Sequence, residues 1–132
     1  MKIDGACHCG NVSYRAEVDP QDVIICHCTD CQAISGSAFR TVVFSQETSF
    51  ELLGAAPKIY IKTADSGAKR EMAFCANCGA HIYATSVGAG ARRLGLRVGT
   101  VRQRGELPPK AQHWCKSAQS WVTEIGEIPR AS

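Results

Sequence analysis

Hydrophobic residues recur along the chain in short runs that favour β-strands. The runs are rich in β-branched and aromatic side chains and are bounded by Gly, Pro, Asp or Ser, as strands usually are. The segment Lys58-Ile59-Tyr60-Ile61-Lys62 alternates partially between polar and apolar residues, which is typical of a half-buried strand. The predicted strands span residues 12–16, 23–26, 40–44, 50–53, 58–62, 71–74, 81–85 and 94–98.

Only one short helix is predicted, over residues 29–34. Thr29 or Asp30 could cap its first turn, and Gly36 could end it. There is no linker, repeat or low-complexity segment, and Pro108-Pro109 indicates a turn before the C-terminal stretch. The chain of 132 residues therefore predicts one domain, residues 1–132, that is mainly β with very short helical turns.

The eight cysteines could form disulfides or metal sites. The N-terminal segment reaches a cysteine cluster without an apolar stretch, so we expect no signal peptide, and no run approaches the roughly 20 apolar residues of a membrane span. We therefore expect a cytoplasmic protein, in which paired cysteines indicate metal or redox chemistry. Two Zn²⁺ ions bound by seven thiolates would cancel the formal net charge of +3, so that charge does not indicate a nucleic-acid partner.

Seven of the eight cysteines fall into three tight clusters. The clusters are Cys7 and Cys9; Cys26, Cys28 and Cys31; and Cys75 and Cys78. A tetrahedral zinc site takes four ligands, so one closed site leaves three thiols over. Three protein ligands with an open position are typical of a zinc ion that takes part in chemistry.

The first and third clusters share a pattern, because a glycine follows each of them directly, Gly10 in one case and Gly79 in the other. Glycine lets the backbone turn past a metal and direct N–H groups at thiolate sulfurs. We therefore predict a structural zinc site with the ligands Cys7, Cys9, Cys75 and Cys78. The alternative is a zinc ribbon with the ligands Cys28, Cys31, Cys75 and Cys78. Spacing favours the first grouping without excluding the second.

The middle cluster predicts a second zinc ion with a labile fourth ligand. Cys26, Cys28 and Cys31 can bind one ion from one side, and Gln32 rather than glycine follows them. Zinc stabilises a bound thiolate, so this site suits the activation of an incoming thiol at neutral pH. We assign these three cysteines as catalytic as well as metal-binding residues.

The four histidines are weaker candidates for ligands. His8 and His27 lie between cysteines, where side chains usually point away from the metal, and His81 is interpreted as a core-edge residue. His113 could approach the open zinc as a proton carrier. Cys115, the eighth cysteine, is predicted to be a small buried side chain.

Longer motifs surround the cysteines and recur towards the C-terminus. They are Gly5-Ala6-Cys7-His8-Cys9-Gly10-Asn11-Val12, Cys26-His27-Cys28-Thr29-Asp30-Cys31-Gln32 with Gly36-Ser37-Ala38-Phe39, Phe74-Cys75-Ala76-Asn77-Cys78-Gly79, Val98-Gly99-Thr100, His113-Trp114 and Trp121-Val122. In these motifs and their order, which cover nearly the whole chain, the sequence resembles the glutathione-dependent formaldehyde-activating enzyme family, which includes centromere protein V.

This resemblance implies a zinc-bound β-tent of antiparallel sheets. It implies a structural zinc on the first and third motifs and a catalytic zinc on the middle motif. The implied activity is the reversible addition of formaldehyde to glutathione, a carbon–sulfur lyase reaction. Arginines or lysines would hold the glutathione carboxylates. The candidates are Arg40, Lys69, Arg70 and Arg97.

One segment departs from the family pattern, because Val101-Arg102 stands where the family often has Leu-Asp. Residues 92–104 form a basic stretch. Its arginines are Arg92, Arg93, Arg97, Arg102 and Arg104. The stretch could be a solvated β-edge that its charges protect from aggregation, or it could be an anion site.

Three functions are compatible with these features. The first is a zinc enzyme acting on a thiol and an aldehyde, and the second is a non-catalytic zinc-binding module that serves as a thiol carrier or interaction domain. The third is nucleic-acid binding, which no recognition helix or aromatic platform supports. The three-thiol cluster favours the enzyme, because a purely structural protein has no need of an open site.

Overall fold

The apolar runs pair into two sheets. The computed structural model describes residues 1–132. It contains one α-helix, α1 (Thr29–Ser35), and ten strands. The strands are β1 (Lys2–Ala6), β2 (Ser13–Glu17), β3 (Val23–Cys26), β4 (Arg40–Gln46), β5 (Phe50–Leu52), β6 (Lys58–Thr63), β7 (Lys69–Phe74), β8 (His81–Ser86), β9 (Arg93–Arg97) and β10 (Ala111–His113). Short 3-10 turns occur at Glu47–Ser49, Val98–Thr100, Arg104–Glu106, Cys115–Ser117 and Ser120–Glu127.

The smaller sheet has three strands in the order β1-β2-β5, and the larger has seven in the order β10-β3-β4-β9-β8-β7-β6. Neighbouring strands are antiparallel except for β10, which pairs with β3 in parallel. The prediction of a mainly β fold with antiparallel sheets and very short helical turns is therefore confirmed, with this one parallel pair as an exception.

The main hydrophobic core lies where the two sheets meet. Fifteen buried residues form it, among them Ile3 and Tyr14 from the smaller sheet and Val43 and Leu96 from the larger. Full burial of a side chain such as Leu96 stabilises the fold by about 2 kcal/mol. Tyr14 stacks on Phe50 with ring centroids 5.2 Å apart, so an aromatic pair also tightens the smaller sheet.

Helix α1 is capped by Cys28 at its start and by Gly36 at its end. Gly36 ends it in a left-handed conformation with φ 66°, as predicted. The predicted caps, Thr29 or Asp30, are wrong, because the N-cap is Cys28, whose sulfur accepts a hydrogen bond from the backbone N–H of Cys31. Lys62 on β6 forms an ion pair with Asp30 at 2.9 Å, which ties the helix to the far edge of the larger sheet.

Two strands were not predicted, and both lack a hydrophobic pattern. In β1 only Ile3 is buried, and in β10 all three residues are exposed. Gly5 explains the position of β1, because a Cβ there would lie 2.4 Å from the Thr100 carbonyl oxygen and 2.5 Å from the Tyr14 ring. Each strand is held by its sheet partners, which a local sequence pattern does not reveal.

The basic stretch 92–104 is not an exposed β-edge. Strand β9 lies in the middle of the larger sheet, so that interpretation is wrong. Most of its arginines have acidic partners: Arg92 pairs with Glu47 and Glu71, and Arg93 pairs with Asp22. Arg102, where the sequence departs from the family pattern, pairs with Asp4 at 2.7 Å.

The helices in this structure are all too short or too polar to cross a membrane.

We expect Gly5→Ala to destabilise the protein by about 2 kcal/mol, the usual cost of overpacking a tight contact. Gly126→Ala is the matched control, because a Cβ there has nothing within 4 Å. Urea unfolding of the two variants measures the difference. Equal midpoints would contradict the close approach of β1 to Tyr14.

Candidate metal centres and the pocket between them

Four sulfurs come together where the two sheets are joined. Cys7 and Cys9 follow β1 of the smaller sheet, and Cys75 and Cys78 follow β7 of the larger. All four ligand atoms lie within 4.8 Å of one another. The Cys7 and Cys9 sulfurs are 3.6 Å apart, and those of Cys9 and Cys75 are 3.7 Å apart. An ion with metal–sulfur distances of about 2.3 Å has sulfurs about 3.8 Å apart in a tetrahedron, so the cluster fits a closed four-thiolate site.

Backbone N–H groups point at these sulfurs. Val12 donates to the Cys7 sulfur at 3.3 Å, and Asn77 and Cys78 each donate to the Cys75 sulfur at 3.4 Å. Backbone hydrogen bonds, first from Ala80 and then from Cys9, lower the pKa of Cys78 to about 6. Such donors stabilise thiolates, the form that binds metal.

The turns that carry these donors depend on glycine. Gly10 has φ 83° and Gly79 has φ 79°, both in the left-handed region where other residues are strained. The glycines after the first and third clusters therefore have the role in the turns that the sequence predicts.

The other three clustered sulfurs belong to one short segment. Cys26 ends β3, Cys28 caps α1, and Cys31 lies in the first turn of α1. Their sulfurs also lie within 4.8 Å of one another, and no fourth cysteine, histidine or carboxylate joins them. Cys26 and Cys28 are half-buried, whereas Cys31 is buried. The zinc-ribbon alternative, which would bring Cys28 and Cys31 to Cys75 and Cys78, is therefore not formed.

A hydrogen bond links the thiols of Cys26 and Cys31 and shifts their pKa values in opposite directions. A hydrogen bond from Cys31 lowers the pKa of Cys26, and the same bond, followed by burial, raises the pKa of Cys31. The sulfurs of Cys28 and Cys31 are 2.7 Å apart, about 1 Å less than the edge of a metal–thiolate tetrahedron. The two side chains would have to move apart to bind one ion.

The C-terminal stretch is fastened to α1 next to this cluster by Gln32. Its side-chain amide donates to the carbonyl of His27 at 2.8 Å and to that of Ser117 at 2.9 Å. Gln119 donates to the oxygen of the same amide at 2.8 Å. The glutamine that follows Cys31, where the other clusters have glycine, thus positions the chain beside the thiols. Sequence reasoning noted the difference but missed this role.

The histidines and the eighth cysteine lie outside both sulfur groups. His8 is exposed, and His27 is buried with its Nε2 2.8 Å from Oε1 of Gln112. His113 is exposed on β10, in register with Cys26 across the parallel pair. Cys115 is exposed, so its predicted burial is wrong.

A pocket of about 500 Å³ is lined by residues near both sulfur groups, although by none of the clustered cysteines themselves. Its lining includes Arg40, which pairs directly with Cys26 across β3 and β4. It also includes Gly79, which follows Cys78, and Arg97 from the end of β9. A larger groove of about 710 Å³ runs over the smaller sheet. Asp4, Arg15 and Arg102, which line that groove, are already ion-paired.

The pocket near both sulfur groups is positively charged and poorly compensated. Arg97 is only 7% exposed. Its Nη1 donates to the Gly95 carbonyl at 3.0 Å, while its Nε and Nη2 have no partner. Burial, and then repulsion from Arg40, lowers the pKa of Arg97 to about 9. Burial, and then the charges of Arg97 and Arg40, lowers the pKa of His81, which also lines the pocket.

Comparison with known proteins agrees with the cysteine motifs. The sequence matches the family model described as glutathione-dependent formaldehyde-activating enzyme over residues 2–117. The chain belongs to this family. The resemblance seen in the sequence motifs is thereby confirmed, and both sulfur groups lie within the part of the chain that matches the glutathione-dependent formaldehyde-activating enzyme family.

A solved structure has the same fold as this family member. It is the crystal structure of a Rhodobacter sphaeroides protein, with a TM-score of 0.61 and 20% sequence identity. The alignment covers 85% of this chain and 99% of that one. Among curated proteins, none matches the sequence significantly.

We expect Cys75→Ser to destabilise the protein far more than Cys28→Ser. Cys75 belongs to the group that joins the two sheets, and losing a structural metal site costs on the order of several kcal/mol. Cys28 caps the first turn of α1, so its replacement should affect only that turn. Thermal unfolding together with a zinc count for each variant measures the difference, and Cys115→Ser, outside both groups, is the control.

If Cys28→Ser unfolded as readily as Cys75→Ser, the two groups would not have the separate roles assigned to them. The same conclusion would follow if Cys75→Ser kept the stability of the control.

Proposed function

We propose that the protein is a zinc-dependent enzyme that activates a thiol such as glutathione for reversible addition to formaldehyde or a related aldehyde. The reaction is of the carbon–sulfur lyase type. The observation that carries the proposal is the group of three sulfurs with no fourth protein ligand. The proposal is also supported by the family to which the chain belongs.

The two sulfur groups would hold two zinc ions, the four-sulfur group as it stands and the three-sulfur group after the Cys28 and Cys31 sulfurs move apart. Cys7, Cys9, Cys75 and Cys78 would hold a structural ion. Cys26, Cys28 and Cys31 would hold the second. Thiolate-rich sites favour soft or borderline metals such as zinc over magnesium or calcium. Bound by three thiolates, zinc can keep an incoming thiol deprotonated at neutral pH.

The residues around the three-thiol group supply position and charge. Cys28 is half-buried, which leaves this group closer to solvent than a fully buried site would be. Gln32 holds the C-terminal stretch and α1 in a fixed arrangement next to the site. Arg40, in register with Cys26, sets a positive charge beside the incoming thiolate.

The bonds and protons balance without a redox partner. A carbon–sulfur bond forms between the thiol sulfur and the aldehyde carbon, and the carbonyl double bond becomes a single bond. The proton that leaves the thiol is taken up by the aldehyde oxygen. Solvent water can carry that proton, and the reverse sequence releases the aldehyde. Because the reaction needs reduced thiols, we also propose a cytoplasmic location.

Native mass spectrometry with and without glutathione tests the binding step. We expect two zinc ions and a glutathione adduct in the wild-type protein, and one zinc ion and no adduct in Cys28→Ser. Cys115→Ser should behave as the wild type does. One zinc ion with no adduct in the wild type would instead favour the non-catalytic zinc-binding module.

Exchange spectroscopy by NMR with ¹³C-formaldehyde and glutathione tests the chemistry. We expect the wild-type protein and Cys115→Ser to raise the exchange rate between free and glutathione-bound formaldehyde above the uncatalysed rate. Cys28→Ser should leave that rate unchanged, because it loses the site that activates the thiol. Equal rates with wild type and Cys28→Ser would contradict the proposed enzyme.

A further inference from the structure

Three arginines on one face of the larger sheet have no acidic partner. Arg40, Arg70 and Arg97 take part in none of the ion pairs of the structure. Burial, and then the charges of Arg40 and Arg93, lowers the pKa of Arg70. Most other arginines, such as Arg92 and Arg102, have acidic partners. Arg97 is buried, whereas Arg40 and Arg70 are half-buried. A buried charge without a counter-charge is costly, so the missing partner of Arg97 in particular needs an explanation.

The strand register brings two of these arginines, Arg40 and Arg97, to the face that carries Cys26. Arg40 is in register with Cys26, and Arg97 is in register with Val42, two residues further along β4. Residues in register share a face of the sheet, as do residues two apart on one strand. Cys26, Arg40 and Arg97 therefore lie on the same face, opposite the face that carries Val43 and Leu96.

The free nitrogens of Arg97 are the pair that suits a carboxylate. Nη1 is fixed by the Gly95 carbonyl, which leaves Nε and Nη2 buried and unpaired. These two nitrogens lie side by side on one edge of the guanidinium and can donate two parallel hydrogen bonds to one carboxylate. Arg40 adds two further buried donors without partners, Nε and Nη1. Both arginines line the pocket of about 500 Å³.

The thiolates alone do not neutralise this charge. A Zn²⁺ ion with three protein thiolates and a bound substrate thiolate would carry a formal charge of −2. That charge offsets two of the three guanidiniums on this face, so one more negative charge can be accommodated beside them.

We propose that this pocket is an anion site that binds a carboxylate of the thiol substrate, with Nε and Nη2 of Arg97 as the paired donors and Arg40 as the second cation. The inference rests on the proposed function, in which the thiol of the same molecule reaches Cys26, Cys28 and Cys31. It defines the substrate class as thiols that carry a carboxylate within reach of the sulfur, and it predicts that neutral thiols are poor substrates.

Three probes separate the carboxylate from the thiol. Glutathione has both groups, glutathione diethyl ester has the thiol with its carboxylates blocked, and S-methylglutathione has the carboxylates without a free thiol. Isothermal titration of the zinc-loaded protein measures binding of each. Charge-assisted hydrogen bonds contribute enough that wild type should bind glutathione about 10-fold to 100-fold more tightly than the diester.

Arg97→Met and Arg40→Met should remove this preference. In both variants we expect glutathione to bind about as weakly as the diester, and S-methylglutathione to lose its binding. Arg15→Met is the matched control, because Arg15 forms an exposed ion pair with Glu51 far from the pocket; it should keep the wild-type preference. Zinc content and circular dichroism show whether each variant folds. If Arg97→Met does not fold, the test relies on Arg40→Met, because Arg40 is only half-buried.

The outcomes distinguish this inference from the function on which it rests. Equal binding of glutathione and its diester by the wild type would overturn the anion site and leave thiol activation standing. If S-methylglutathione binds in a way that depends on Arg97, and glutathione binds no more tightly than S-methylglutathione, the result would support the anion site and contradict thiol activation. Loss of zinc from both arginine variants, with no carboxylate preference in the wild type, would mean that the arginines only offset thiolate charge.

Discussion

The junction of Cys7 and Cys9 with Cys75 and Cys78 is the contact on which the arrangement of the two sheets depends. The smaller sheet and the larger sheet share a hydrophobic core, and this sulfur group joins them at one end. A metal ion bound there would link segments more than 60 residues apart, since Cys9 and Cys75 are 66 positions apart in the chain. The sulfur group and the core thus act on the same relative position of the two sheets.

The candidate site follows from the two faces of the larger sheet. One face carries Val43 and Leu96 and packs into the core, and the other carries Cys26, Arg40 and Arg97 by strand register. Cys26 therefore shares a sheet face with Arg40 and Arg97 without any long loop, and the two arginines line the pocket on that side. Thiolates and guanidiniums have opposite charges, so each lowers the free-energy cost of burying the other. A small sheet can therefore hold a charged site.

The sequence predicted the features that depend on local pattern or on spacing. Apolar runs predicted eight strands approximately, and glycine placement predicted the turns at Gly10, Gly36 and Gly79. Strands β1 and β10 were missed, because each is held by distant partners rather than by its own hydrophobic residues. The buried role of Arg97 was missed because residues 92–104 were interpreted as one charged stretch. The alternation Arg93-Leu94-Gly95-Leu96-Arg97 was the available signal, since it directs the leucines to the core and the arginines to the opposite face.

Zinc K-edge X-ray absorption tests the central claim most directly, because it counts the sulfurs around zinc before and after a thiol is added. One closed and one open site predict an average below four sulfurs per zinc, with a lighter oxygen or nitrogen neighbour that disappears as the average rises to four with glutathione. Four sulfurs per zinc in both states, or no change on adding glutathione, would contradict an open zinc site that accepts a substrate thiol.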